Sequence, residues 1–168
     1  MISSLDGRLQ IERYSKLYNV ENQDLALKIY LDLGKKIDSD AWMIGKGTVK
    51  SMGLNDIFKT ETNIAATDFS PFVVEKNSDQ FCVIFDAKGK VRFPENTFMK
   101  DNIIVVLSES VTVDYLDFLK NMGISYLFAG KDGYDLNIAM NTLYNHFGIR
   151  RVRLEGGGIL NGTFLKAG

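Results

Sequence analysis

Only one cysteine, one histidine and one tryptophan occur among the 168 residues, and long apolar runs are missing. A lone thiol cannot close an internal disulfide, and Cys82 lies inside the apolar run Phe81–Phe85, which points to a buried thiol in a reducing interior. The longest apolar stretches, such as Ile103–Leu107, fall far short of the roughly 20 residues needed to span a bilayer. Met1–Gln10 has neither the basic start nor the apolar core of a signal peptide. An excess of one charge is lacking too: 20 basic residues face 21 acidic ones, for a net charge of -1 and a pI near 5.8. The chain therefore offers no basic field for a polyphosphate backbone or an anionic membrane surface. These absences place it in the cytoplasm with neither nucleic acid nor membrane as partner. With 45% hydrophobic and 24% charged residues, and no repeat, low-complexity tract or linker, residues 1–168 are expected to form one domain.

What is present is an alternation of two periodicities. Between Asn22 and Ile37, the residues Leu25, Ala26, Ile29, Tyr30, Leu33 and Ile37 recur at steps of three and four, predicting an amphipathic helix. Short apolar runs bounded by polar or glycine turns follow at Ala41–Gly45, Phe81–Phe85, Ile103–Leu107, Tyr126–Ala129 and Arg151–Leu154, as expected of strands buried on both faces. Helical spacing returns at Val113–Met122, with Thr112 as N-cap candidate and Gly123 as stop. It returns again at Leu136–Phe147, between Asp135 and Gly148. Strands alternating with helices build parallel βαβ units, so an α/β sheet with helices on both faces is the expected architecture. Lys50–Gln80 interrupts the rhythm: about thirty residues of weak periodicity carry Phe58, Phe69, Pro71 and Phe72. A connection this long is either a functional lid or a surface excursion with its own apolar cluster.

The strongest local signal is RVRLEGGGILNG, Arg151–Gly162, in which a strand runs into three consecutive glycines and then into helical spacing at Ile159, Leu160, Phe164 and Leu165. Glycine permits positive φ and close approach, and a helix start offers free N–H groups to an anion, with pyrophosphate the natural occupant. The spacing matches neither GxGxxG nor the P-loop pattern, so phosphate binding and a purely structural turn both stay open. A similar turn occurs in AWMIGKGTV, Ala41–Val49, where Lys46 supplies a cation and Thr48 a hydroxyl, and a third at Ala129–Gly133. In open α/β sheets, ligands sit beyond the carboxyl ends of strands, where such turns can converge. Trp42 and the methionines suit the core, and His146 suits a solvated helix end.

SLDGRL at Ser4–Leu9, DAWMIGKGTV at Asp40–Val49 and LEGGGILNGTFLKAG at Leu154–Gly168, with ISYLFAGKDGYDLNIAMNTLYNHFGIRRVRLEGGG leading into the last, closely resemble the reductase domain of bacterial riboflavin biosynthesis. That domain belongs to the wider dihydrofolate reductase superfamily. The resemblance implies a dihydrofolate-reductase-like, mostly parallel sheet flanked by helices on both faces. It also implies NADPH as hydride donor, a small-molecule substrate and a homodimer. By the same resemblance Gly45, Lys46, Gly47, Thr48 and Val49 contact NADPH, with Lys46 near the adenosine phosphates. Glu155, Gly156, Gly157, Gly158, Ile159 and Leu160 match the glycine turn under the pyrophosphate, and Gly130 borders the same cleft. Ser4 and Asp6 face the substrate, and Asp6 and Glu155 are the two carboxylates considered as proton sources.

Three features depart from the family pattern. Lys50-Ser51-Met52-Gly53 stands where the ribosylaminopyrimidine reductases have an Asp-Asp-Pro type segment. One cysteine and one histidine cannot build the His/Cys/Cys zinc site of the deaminase that accompanies some relatives, so no metal is expected. Relatives also carry strands before SLDG and after LKAG that have little or no counterpart here. The expected activity is hydride transfer from NADPH to a small polar substrate of ribosylaminopyrimidine or pterin type. The alternative is a non-catalytic dinucleotide-binding or sensing module on the same fold.

Overall fold

The computed structural model describes residues 24–168. The chain divides into two compact units, Met1–Asp38 and Ser39–Gly168. In the first, helix α1 spans Asp24–Lys36, where the three-and-four spacing predicts one. The second unit contains the sheet.

β1 covers Ala41–Gly45 and passes directly into α2, Lys46–Ser51. The sequence suggests only a glycine turn there; the observed helix is anchored by Val49, which is fully buried. β2 (Phe81–Phe85), the two-residue β3 (Thr97–Phe98) and β4 (Asp101–Leu107) follow. Then come α3 (Val113–Asn121), β5 (Ser125–Phe128), α4 (Leu136–Phe147), β6 (Val152–Gly156) and α5 (Gly158–Ala167). The strand order is β3-β4-β2-β1-β6, with β5 also paired to β4; every pairing is parallel except the short β3–β4 ladder.

Apolar residues fill both faces of the central strands, which is why their sequences are continuous rather than alternating. Cys82 and Ile84 of β2 join Trp42, Ile103, Val105, Tyr115, Leu116 and Leu119 in one core, so α3 covers this face. Phe81, Val83 and Phe85 point the other way, into a core with Met43, Ile104, Val106, Leu136, Ala139, Leu143 and Leu160, covered by α4 and α5. At the start of α4 the Asp135 carboxylate accepts the Ile138 N–H at 3.1 Å, and Gly148 closes the helix at φ 68°. Both ends thus follow the expected capping chemistry.

Thr112 occupies the N-cap position of α3 without a capping hydrogen bond; its hydroxyl lies 3.2 Å from that of Thr60. Asp114, in the first turn of α3, instead accepts the Thr60 hydroxyl at 2.7 Å and the Glu61 N–H at 2.7 Å. These bonds belong to a longer fastening of the segment between α2 and β2. Phe58 N–H donates to the Lys90 carbonyl, Ala66 N–H to that of Val111, and Phe72 and Tyr126 exchange both backbone bonds at 3.0 Å. Phe58 stacks edge-on to Tyr115, Phe72 lies over Tyr126, and Phe69 meets Phe128 edge-on. The long segment is therefore a strap laid over the α3 face of the sheet, taking the place of a further helix in that layer.

Candidate active site

The five parallel strands deliver their carboxyl ends to one side of the sheet, the side on which α/β proteins bind ligands. β1 and β6 are neighbours there. Their register runs Met43↔Leu154 and then Ile44↔Gly156, so Glu155 is an extra residue on β6. This irregularity carries the two glycine turns against each other: a Cβ on Gly45 would lie 3.9 Å from the Gly156 carbonyl oxygen. Gly156 sits at φ 107°, which only glycine adopts readily, and is joined to Gly157 by a cis peptide. The Gly157 N–H donates to Thr48 Oγ1 at 2.9 Å, tying the exit of β6 to the first turn of α2.

α5 begins next to this tie. Its first internal bond runs from the Asn161 N–H to the Gly157 carbonyl at 3.0 Å, so the amides of Gly158, Ile159 and Leu160 precede any helical acceptor. A Cβ on Gly158 would meet nothing within 4 Å, leaving the approach to these amides open. Leu160 is buried under the turn, whereas Ile159 is 83% exposed. A helix start with accessible N–H groups favours an anion. Lys46 and Thr48 add an ammonium and a hydroxyl at the adjacent exit, and a phosphorylated ligand fits this donor set.

Gly45, Lys46, Gly47, Thr48 and Val49 are thus brought together with Glu155, Gly156, Gly157, Gly158, Ile159 and Leu160. The side chains of Val49 and Leu160 are buried in opposite cores, so only their backbones face the exits. Gly130 leaves the sheet on the same side but at the end of β5, with β4 and β2 between it and β1. There its carbonyl accepts the N–H groups of Glu109 and Gly133, each at 3.2 Å. Ser4 and Asp6 lie outside the described residues. Glu155 is paired through Oε1 with Nε of Arg153 on the same strand. Arg153 lies beside Trp42, whose indole N–H donates to Asp101 at 2.7 Å. Burial raises the Asp101 carboxyl above its ordinary value, against the opposing effect of that bond. The same cause pushes the buried Cys82 thiol well up, so it is held as an inert core thiol. His146 is exposed in the last turn of α4.

Two polar groups have no counterpart in the sequence reading. Asp86, directly after β2, is 1% exposed; its Oδ2 accepts the Lys90 N–H at 2.6 Å and the Val91 N–H at 2.7 Å. Its Oδ1 has no hydrogen-bond partner, and Lys46 Nζ stands 3.7 Å away. The Tyr115 hydroxyl, 3.3 Å from Oδ2, is pushed well above its usual pKa by burial first and by the Asp86 charge second. Asn161 has a buried Oδ1 without a partner, and its amide lies where a Cβ on Gly156 would come within 3.5 Å. The only hint of Asp86 in the sequence is a carboxylate placed between an apolar run and the Lys88-Gly89 turn.

Among the described residues no cluster of three or more His, Cys, Asp or Glu side chains could hold a metal ion, and no helix is long and apolar enough to cross a membrane. A family model described as the RibD C-terminal domain matches residues 1–168. The chain belongs to that family. No curated protein matches it. As a RibD C-terminal domain it is an NADPH-dependent reductase of the riboflavin-biosynthesis, dihydrofolate-reductase-like type, acting on a small polar substrate. The mixed, mostly parallel sheet flanked by helices on both faces agrees with that membership.

Proposed function

We propose that the exits of β1 and β6 form the NADPH site of this reductase. In this reading the amides of Gly158, Ile159 and Leu160 receive the pyrophosphate, with Gly156 and Gly157 shaping the turn beneath it. Gly45, Gly47 and Val49 supply the backbone wall, Thr48 fixes Gly157, and Lys46 faces the adenosine phosphate. Gly130, farther along the same side of the sheet, borders the adenosine end. The observation that carries the reading is the 2.9 Å bond from Gly157 N–H to Thr48 Oγ1, which holds two phosphate-compatible exits as one surface.

The coenzyme supplies the hydride. The chain's share is to orient the reacting carbons, exclude water and place a proton near the charge that develops. Glu155, fixed by Arg153, and Asp6 are the carboxylates assigned to orienting or protonating the substrate, with Ser4 beside them. The substrate is a small polar molecule of ribosylaminopyrimidine or pterin type, the protein works in the cytoplasm as a homodimer, and residues 1–168 act as one reductase domain. Lys50-Ser51-Met52-Gly53, in place of an Asp-Asp-Pro type segment, is the feature that favours a different reading, a dinucleotide sensor without turnover.

The test is a titration with NADPH followed by its fluorescence, then addition of carbonyl, imine, pterin and aminopyrimidine compounds while dihydronicotinamide absorbance is recorded. Saturable binding with turnover of at least one compound is expected. No binding at high coenzyme concentration would refute the reading, and binding without turnover across the panel would favour the sensor.

A further inference from the structure

The Asp86–Lys46 pair has an unusual division of exposure. The carboxylate side chain is fully buried, whereas that of the lysine is 36% exposed. The lysine side chain therefore runs from solvent to the buried charge, with its ammonium 3.7 Å from Oδ1. Oδ2 is engaged by Lys90 and Val91, but Oδ1 has no hydrogen bond at all. Turning Lys46 away would leave a buried anion uncompensated, which costs far more than breaking a surface pair. A lysine side chain otherwise has many rotamers to lose, so an ammonium already held in place spares a ligand much of that ordering cost.

The position of the pair matters as much as its geometry. β1 lies between β6 and β2, and the Lys46 side chain leans toward β2. The start of α5, at the β6 exit, is thus about two strand spacings away, roughly 10 Å. A single phosphate cannot contact both features. A ligand with two separated phosphate groups can.

We propose that Asp86 is a positioning residue for coenzyme binding, which acts through Lys46 by holding its ammonium over the β1–β2 exit to receive the phosphate remote from the pyrophosphate. The inference rests on the NADPH site assigned above, and it adds a residue that touches no ligand itself.

Two measurements on the parent chain, Asp86→Asn, Lys46→Met and the double variant test it. The first is the dissociation constant for NADPH and for NADH, which lacks the ribose phosphate. Lys46→Met is expected to weaken NADPH about tenfold and NADH less than about threefold, the scale of one charge-assisted contact. Asp86→Asn should weaken NADPH by about three- to tenfold, and the double variant should match Lys46→Met within about a factor of two. The second measurement is the urea midpoint without coenzyme. Lys46→Met should lower it, and adding Asp86→Asn should restore most of the loss, because the orphaned charge is gone.

Unchanged or tighter NADPH binding by Asp86→Asn, additive losses in the double variant, or a Lys46→Met protein as stable as the parent would each overturn the proposal. If Asp86→Asn does not fold, the Lys46→Met midpoint decides. A parent chain that fails to bind NADPH would instead overturn the site assignment itself.

Discussion

Thr48→Val separates the functional role of the β1–β6 tie from mere packing. The substitution keeps the branched shape and removes the oxygen that accepts the Gly157 N–H at 2.9 Å. A hydrogen bond of this kind contributes about 0.5–1.5 kcal/mol net, and Gly157 is exposed, so water replaces part of the loss and the lower half of the range applies. For a chain of this length that lowers the melting temperature by only about 1–4 °C. Coenzyme binding should suffer more, because the freed turn must be reordered whenever ligand binds. Fixing the backbone of one residue costs about 1–2 kcal/mol, which corresponds to a five- to thirtyfold rise in the NADPH dissociation constant. Thr48→Ser, which retains the oxygen, should stay within about threefold of the parent, and Thr48→Ala, which leaves no methyl against Gly157, should behave like Thr48→Val. Fluorescence titration together with thermal melting measures both effects. If Thr48→Val and Thr48→Ala bind NADPH as tightly as the parent, the tie has no part in shaping the site.

Two further outcomes test the architecture around it. Burial alone would raise the Asp114 carboxyl, but its hydrogen bonds with Thr112, Thr60, Glu61 and Thr62 outweigh that and hold it below the ordinary carboxylate range. A group depressed in the folded state contributes stability that is present above its unfolded pKa and lost as pH falls through the folded one. Asp114→Asn should therefore be less stable than the parent at neutral pH, with the gap in urea midpoints closing progressively below about pH 4; a gap independent of pH would refute the role of the charge. Gly133→Ala places a Cβ 2.6 Å from that of Ala87 and 3.0 Å from the Ser108 nitrogen, at φ 80°. It should cost about 2–4 kcal/mol, read as a denaturant midpoint shift, and an unchanged midpoint would mean that the β5 exit yields easily.

Elements whose cause is local were legible in the sequence. Phe81–Phe85 and Leu136–Phe147 have the predicted bounds, since a continuous apolar run and a capped three-and-four spacing each specify their own geometry. α2 was not legible, because Gly47 within KGTVKS and Gly45 just before it argue against a helix, and the tertiary burial of Val49 holds it. The strap was visible as an exception to the rhythm but not as a cover, because its fastenings reach residues such as Asp114 and Tyr126, more than fifty positions away. Its phenylalanines have no period to announce the face they cover.

The candidate site divides along the same line. The glycines announce themselves because a backbone at φ 107°, as at Gly156, excludes other residues whatever surrounds it. Their convergence follows from strand order, which the sequence suggests only through the alternation of strands and helices. Asp86 belongs to neither class. A carboxylate after a strand is ordinarily a solvated turn residue, and what distinguishes this one is burial beneath Lys46, forty positions earlier, with Tyr115 and the Val91 backbone closing the other side. In the proposed site the glycine turns account for where an anion would approach, whereas the placement of the cation that would meet it depends on a buried group visible only in three dimensions. On that proposal, a substitution survey confined to the glycine motifs would detect loss of phosphate binding but miss the residue assigned to fixing the lysine.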